Sequence, residues 1–148
     1  MLNQDFKDLL STFNEHDVEF LVVGAHALAA HGFIRATKDF DVWVRPNASN
    51  ARRVMEALEA FGAPTDKVRE SDFAAPGITF QIGIEPVRID VITVIDGIEF
   101  DSAWRNRIPA EYGSVPAFVL SKADLITNKQ ASGRPQDLAD IDALLNQK

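Results

Sequence analysis

The chain has no cysteine among its 148 residues, so neither a disulfide nor a thiolate metal site is available to it. Basic residues are in deficit: 15 Lys and Arg stand against 22 Asp and Glu, for a formal net charge of −7. Such a chain lacks the broad cationic surface that non-specific nucleic-acid binding needs, although a small local basic site stays compatible with it. Long hydrophobic runs are also missing. The longest mainly apolar segment, 20–34, is broken by His26, His31 and two glycines. It falls short of the ~20 apolar residues of a membrane span. The opening MLNQDFKDLL has neither the basic start nor the apolar block of a secretory signal. A cytoplasmic protein without membrane association is expected. What is present is an apolar fraction of 46%. That suits one globular domain over residues 1–148, with a core that removes roughly two-thirds of the unfolded surface from water.

The apolar pattern alternates between two periods. Phe6, Leu9, Leu10 and Phe13 fall at helical spacing within 3–16. VEFLVVG reads as a buried strand and AHALAAHG as a short helix stopped by Gly32. KDFDVWV alternates as a strand does, and RPNASNARRVMEALEAFG supplies a turn and then a helix from about Ser49 to Phe61. TDKVRESDFAAPG is polar and reads as a loop. ITFQIGI and VRIDVITVI flank Glu85-Pro86 as two antiparallel strands. FDSAWRNRI reads as a short helix or turn and VPAFVLS as a last strand. Ser121 caps a helix through about Gln130, and Pro135 to Asn146 forms the final one. The order predicts an α+β domain with a mixed sheet.

The acids are the anomaly in this pattern. Alternation puts Asp39, Asp41 and Trp43 on one face of KDFDVWV and Phe40, Val42 and Val44 on the other. Two carboxylates so close repel each other if buried alone, whereas a divalent cation between them removes the conflict. An exposed face bearing two solvated acids fits the short D-x-D pattern equally well. Asp90 also sits in an apolar strand, RIDVIT, where an unpaired charge is disfavoured. It either joins the other acids around metal or pairs with Arg88 or Lys38. Gly24 closes a strand and opens a helix, which leaves free backbone N–H groups suited to a phosphate. A tight turn alone also accounts for it. Arg35 and Thr37 precede the acid pair and either touch phosphate or hold the loop. Lys122 and Lys129 share a face of one predicted helix; taken alone they read as solvated lysines. Asp137 and Asp140 open the last helix, where acids favour the dipole. His26 and His31 are poorly spaced for a metal and read as structural. Trp43 and Trp104 read as core or cleft wall.

Together these residues carry a resemblance. VVGAHALAAHGFIRATKDFDVWV resembles the core motif of the nucleotidyltransferase superfamily related to DNA polymerase β. There a Gly-Gly or Gly-Ser turn precedes an Asp-x-Asp, and a third Asp follows on a later strand. More narrowly, the chain resembles small bacterial nucleotidyltransferases of the AbiEii-like toxin kind, the similarity continuing through RIDVIT, GIEFDSAW and DLITNKQASGRPQDLADIDAL. The resemblance implies a minimal nucleotidyltransferase fold, a mixed sheet with helices packed mainly on one side. It implies transfer of a nucleoside monophosphate from an NTP, with release of pyrophosphate. The acceptor would be RNA or tRNA, protein or a small molecule, and an antitoxin protein would be a partner. Asp39, Asp41 and Asp90 correspond to the metal-binding and catalytic acids, with Mg²⁺ or Mn²⁺ as cofactor. Gly24 and Ala25 correspond to the phosphate turn. Arg35, Thr37, Lys122, Lys129 and Asp137 complete the nucleotide-binding set, the last two in a Lys129-x4-Arg134-x2-Asp137 segment. Ala25 departs from the pattern, since the hydroxyl that often holds the triphosphate is missing. That departure motivates the alternative of a nucleotide-binding or interaction module that keeps the fold without transfer.

Overall fold

The spacing of Phe6, Leu9, Leu10 and Phe13 produces an amphipathic first helix, α1 (Gln4–Glu15), with all four side chains buried and Asn3 capping it through Asp5 N–H. A computed structural model describes residues 3–34, 39–84 and 87–146. After α1 the chain continues through β1 (Phe20–Val23), α2 (Ala25–Ala30), β2 (Asp39–Val44) and α3 (Ala48–Phe61). A hairpin follows, β3 (Thr79–Ile84) and β4 (Val87–Ile92), then α4 (Phe100–Arg105). The chain ends with β5 (Ile108–Tyr112), β6 (Val115–Val119), α5 (Lys122–Ser132) and α6 (Pro135–Leu145). Among the described residues the sheet runs β3-β4-β2-β1-β6-β5. It is mixed: β1 pairs with β2 antiparallel and with β6 parallel, while β2 and β4 run parallel. The α+β architecture expected from the element order is the one observed. Among the described residues no helix is long and apolar enough to cross a membrane.

The strand carrying the acids sits at the centre, and its two faces differ sharply. Phe40, Val42 and Val44 are fully buried. Phe6 of α1 stacks on Phe40 with ring centroids 4.8 Å apart, and His26 of α2 meets the same ring edge-on. On the opposite face Trp43 packs edge-on against Phe100 of α4.

Two regions depart from the sequence reading. The polar stretch after α3 is not a plain loop: two 3-10 turns, Thr65–Lys67 and Glu70–Ala74, carry Phe73 into full burial against Phe80. One apolar side chain in a polar segment has no periodicity to reveal it. β5 was not anticipated either. It is an edge strand containing Pro109, and of its five residues only Tyr112 is buried. Its hydroxyl donates to the His26 carbonyl at 2.7 Å, which ties the strand to α2.

Asn50, a polar residue in the first turn of α3, is fully buried. Its Oδ1 accepts from Glu19 N–H at 2.8 Å, and its Nδ2 donates to the carbonyls of Glu19 and Arg45 at 3.0 Å each. It therefore locks the start of α3 to the far ends of β1 and β2. Asn50→Ala leaves the buried Glu19 N–H without its acceptor, while the Glu19 and Arg45 carbonyls keep the N–H groups of Arg45 and Asn47. Such a loss costs about 1–3 kcal/mol, readable as a lower urea midpoint with an unchanged slope.

Candidate functional site

The parallel register of β2 and β4 sets Asp39 opposite Arg88 and Asp41 opposite Asp90. Since alternate strand residues share a face, all four side chains lie on the face away from Phe40. On the other side Asp41 pairs with Val23, the last residue of β1. The chain turns there at Gly24, with φ 70° and ψ −151°. A Cβ on Gly24 would stand 2.6 Å from Asp41 Oδ2. The close carboxylate and the backbone conformation thus both require glycine.

Arg88 lies between the acids. Its Nη2 donates to Asp39 Oδ2, and its Nε lies 3.3 Å from Asp90 Oδ1 as an ion pair. Asp41 has no ion-pair partner among the described residues. Burial, then the charges of Asp90 and Asp39, push Asp41 up to about 7, and it shares a hydrogen bond with Asp90. Burial also raises Asp90, against the pull of Arg88.

This conflict has a thermodynamic consequence. The folded state keeps a proton on Asp41 that the unfolded chain releases between pH ~4 and ~7, so this group's contribution to stability falls as pH rises through that window. Asp41→Asn removes the penalty. At pH 8 the protein without metal or nucleotide is expected to gain on the order of 1–3 kcal/mol, because one pKa unit corresponds to about 1.4 kcal/mol and partial solvation trims the effect. At pH 4 the gain vanishes. Thermal melts at the two pH values check this; equal shifts at both would remove the charge explanation.

A cleft of about 390 Å³ opens beside the acids. Gly24, Ala25, Asp39 and Asp41 line one side, and Asn128, Lys129, Ser132, Arg134 and Asp137 line the other. Asp90 is buried beside Asp41 and does not line this cleft. The second wall is built where α5 meets α6. Gly133 ends α5 in the left-handed conformation, and Pro135 starts α6. Lys129 is 5% exposed. Its Nζ lies 2.9 Å from Asp140 Oδ2 and 3.5 Å from Asp137 Oδ1. Burial alone would raise Asp137, but hydrogen bonds from Arg134 and Ser132, with the charges of Arg134 and Lys129, hold it down at about 2.

These positions refine the sequence reading. Asp39, Asp41, Asp90, Gly24 and Ala25 come together, and Lys129 and Asp137 face them across the cleft. Lys129 is not a free cation, however, because two aspartates already match its charge. Arg134 is the exposed cation of this wall: its side chain is 76% exposed while its Nε holds Asp137 at 2.8 Å. Its sequence signal is its place between Lys129 and Asp137. Asn128 and Ser132 carry no such signal. Lys122, in the first turn of α5, does not line the cleft. Arg35 and Thr37 lie outside the described residues. Asp140, read as structural, is part of the Lys129 clamp. His26 packs among Phe6, Phe40 and Tyr112, and His31 Nε2 bonds to the Leu120 carbonyl.

Among the described residues no three His, Cys, Asp or Glu side chains stand ready as a cage; Arg88 is interposed between Asp39 and Asp90. The donor set nevertheless fits a hard divalent cation such as Mg²⁺ or Mn²⁺. Asp41 has no ion-pair partner among the described residues, and Asp90 Oδ1 is buried without a hydrogen-bond donor among them. A metal ion would relieve the burial and like charges that raise Asp41.

Comparison with solved structures returns the same architecture. The lincomycin-bound lincosamide antibiotic adenylyltransferase LnuA superposes with a TM-score of 0.60 at 15% identity, over 99% of this chain and 98% of that one. ANT(2'')-Ia in complex with adenylyl-2''-tobramycin gives 0.59 at 14% identity, over 94% and 84%. A Thermotoga maritima protein classed as a nucleotidyltransferase (TM1012) gives 0.58 at 16% identity, over 97% and 91%. No curated protein matches the chain. Residues 1–146 match the family described as Nucleotidyltransferase of unknown function (DUF6036), and with that match the chain belongs to this family and is a nucleotidyltransferase enzyme.

Proposed function

We propose that the protein is a metal-dependent nucleotidyltransferase that moves a nucleoside monophosphate from an NTP to an acceptor hydroxyl and releases pyrophosphate. The observation that carries this reading is the convergence of Asp39, Asp41 and Asp90 on one sheet face, with Asp41 pressed against the Gly24 turn. Mg²⁺ or Mn²⁺ held by these acids would supply charge neutralisation at the reacting phosphate and its leaving group. The backbone amides of the Gly24–Ala25 turn hold phosphate oxygens. Arg134, oriented by Asp137, which also accepts from the Ser132 hydroxyl, meets the charge that develops on pyrophosphate. Lys129 acts through Asp137 rather than on the nucleotide itself. Asp90 orients the acceptor hydroxyl and takes its proton.

Lincomycin-bound LnuA and the adenylyl-tobramycin complex of ANT(2'')-Ia support a small-molecule acceptor. The AbiEii-like resemblance keeps RNA or protein acceptors, and a toxin role with an antitoxin partner, within the proposal. Ala25, which offers no hydroxyl to the triphosphate, favours a second reading as a nucleotide-binding module. Incubation with Mg²⁺, each α-labelled NTP and whole-cell extract separates the two. Transfer of label to one acceptor class from a preferred nucleotide supports the enzyme. Tight NTP binding with no labelled product from any of the four leaves only the binding module.

A further inference from the structure

Beside the aspartate cleft lies a larger cavity that the nucleotide reading leaves unused. It encloses about 590 Å³, in the range of small-molecule sites. Val94 and Ile95 line both spaces. Trp43, a wall of the cavity, is two residues beyond Asp41 on the same face of β2. At roughly 3.3 Å per residue the carboxylate lies about 7 Å along the strand from that wall, within reach of a hydroxyl on a bound molecule.

The lining sets the chemistry of the occupant. Trp43, Pro46, Ile98 and Phe100 make it largely apolar. Its cation, Arg45, is already engaged: its Nε lies 3.2 Å from Glu19, its Nη1 bonds Asp101, and its guanidinium lies over the Phe100 ring at 4.8 Å. Glu99 is exposed on the rim and has no ion-pair partner among the described residues. Asp96 adds a further exposed acid on the cleft side. An RNA end would bring phosphates against this acidic rim, and like charges there oppose binding. A single serine or tyrosine side chain from a protein would fill little of the volume.

We infer that this cavity is the acceptor subsite, and that the acceptor is a small molecule combining an apolar ring or chain, a hydroxyl and a positively charged amine. The inference rests on the transferase reading above. In the step it serves, the acceptor oxygen forms a bond to the α-phosphorus of the NTP. The bond from that phosphorus to pyrophosphate breaks, and the hydroxyl proton passes to Asp90. The products are the nucleotidylated acceptor and pyrophosphate.

Two probes test the cavity directly. Propranolol is a cationic naphthyl amino alcohol, and anilinonaphthalene sulfonate is an anionic molecule with the same ring. Titrated into the full chain with saturating Mg²⁺ and ATP, propranolol is expected to quench tryptophan fluorescence and bind about tenfold more tightly than the sulfonate. Glu99→Gln, at an exposed helix cap that makes no side-chain capping bond, should weaken propranolol several-fold. Ile98→Trp should fill the cavity and abolish its binding. Equal or tighter binding of the sulfonate, indifference to Glu99→Gln, or displacement by ATP would overturn the assignment. In the labelled-NTP assay, extract is separated into small-molecule, RNA and protein fractions. Label in the small-molecule fraction, lost in Ile98→Trp, supports the inference. Label in RNA or protein overturns it while the transferase reading stands; label in no fraction overturns both.

Discussion

Asp90→Asn is expected to lower nucleotidyl transfer by about 10²–10⁴-fold, the range for loss of a positioned acid–base group, while NTP affinity stays within a few-fold of wild type. The asymmetry follows from where Asp90 sits. It is buried beside Asp41 and off the lining of the cleft, whereas Asp39 and Asp41 line it beside the Gly24 turn. Its charge is therefore most useful as the acceptor oxygen is activated, and an interaction made mainly in the transition state changes turnover more than binding. Asparagine is the better test than alanine because it keeps the side chain's size beside Arg88, which still has Asp39 as its partner. Single-turnover transfer and equilibrium NTP titration on the same preparation check the two halves. Turnover near the wild-type rate would remove Asp90 from the reaction.

Lys129→Ala is expected to destabilise the protein by about 3–5 kcal/mol, the cost of breaking a buried ion pair by removing one partner. Asp137 and Asp140 are both buried, and both contact the Lys129 ammonium. Asp137 keeps Arg134 and Ser132, and Asp140 keeps Gln136, so the damage centres on α5–α6 docking. NTP affinity should fall too, because Arg134 is oriented through Asp137. Arg134→Ala separates the effects: it should weaken NTP binding with little loss of stability, since that side chain is mostly exposed. Urea unfolding and NTP titration of both variants decide the matter. A Lys129→Ala protein of unchanged stability and greatly reduced NTP affinity would return the lysine to the phosphates.

How much of this site was legible depends on the reach of each signal. Strand alternation acts over two residues, and it placed Asp39 and Asp41 opposite Phe40 and Val42 before any partner strand was known. Helix ends behave alike: Asn3 and Ser121 side chains bond N–H groups two or three residues on, so α1 and α5 begin close to where the sequence marks them. The β3–β4 hairpin needed only two apolar runs and a short break between them. Segments with weak local pattern give no such signal. Phe73 stands alone in a polar stretch, and β5 buries one residue in five.

Sequence by itself determined that this protein carries acids on a central strand, a glycine turn before them and a helix bearing Lys129, because periodicity and turn chemistry are short-range properties. Tertiary structure alone decided what those groups face. Asp90 meets Asp41 because β2 and β4 pair in one parallel register, and a slip of one residue would have turned Asp90 to the opposite face. Lys129 is matched by Asp137 and Asp140, eight and eleven residues away, and so gives the exposed role on its wall to Arg134. The reason is physical: a charge's role is set by which opposite charge lies within about 4 Å and by how much water remains. Chain folding fixes both quantities across distances that no local pattern encodes.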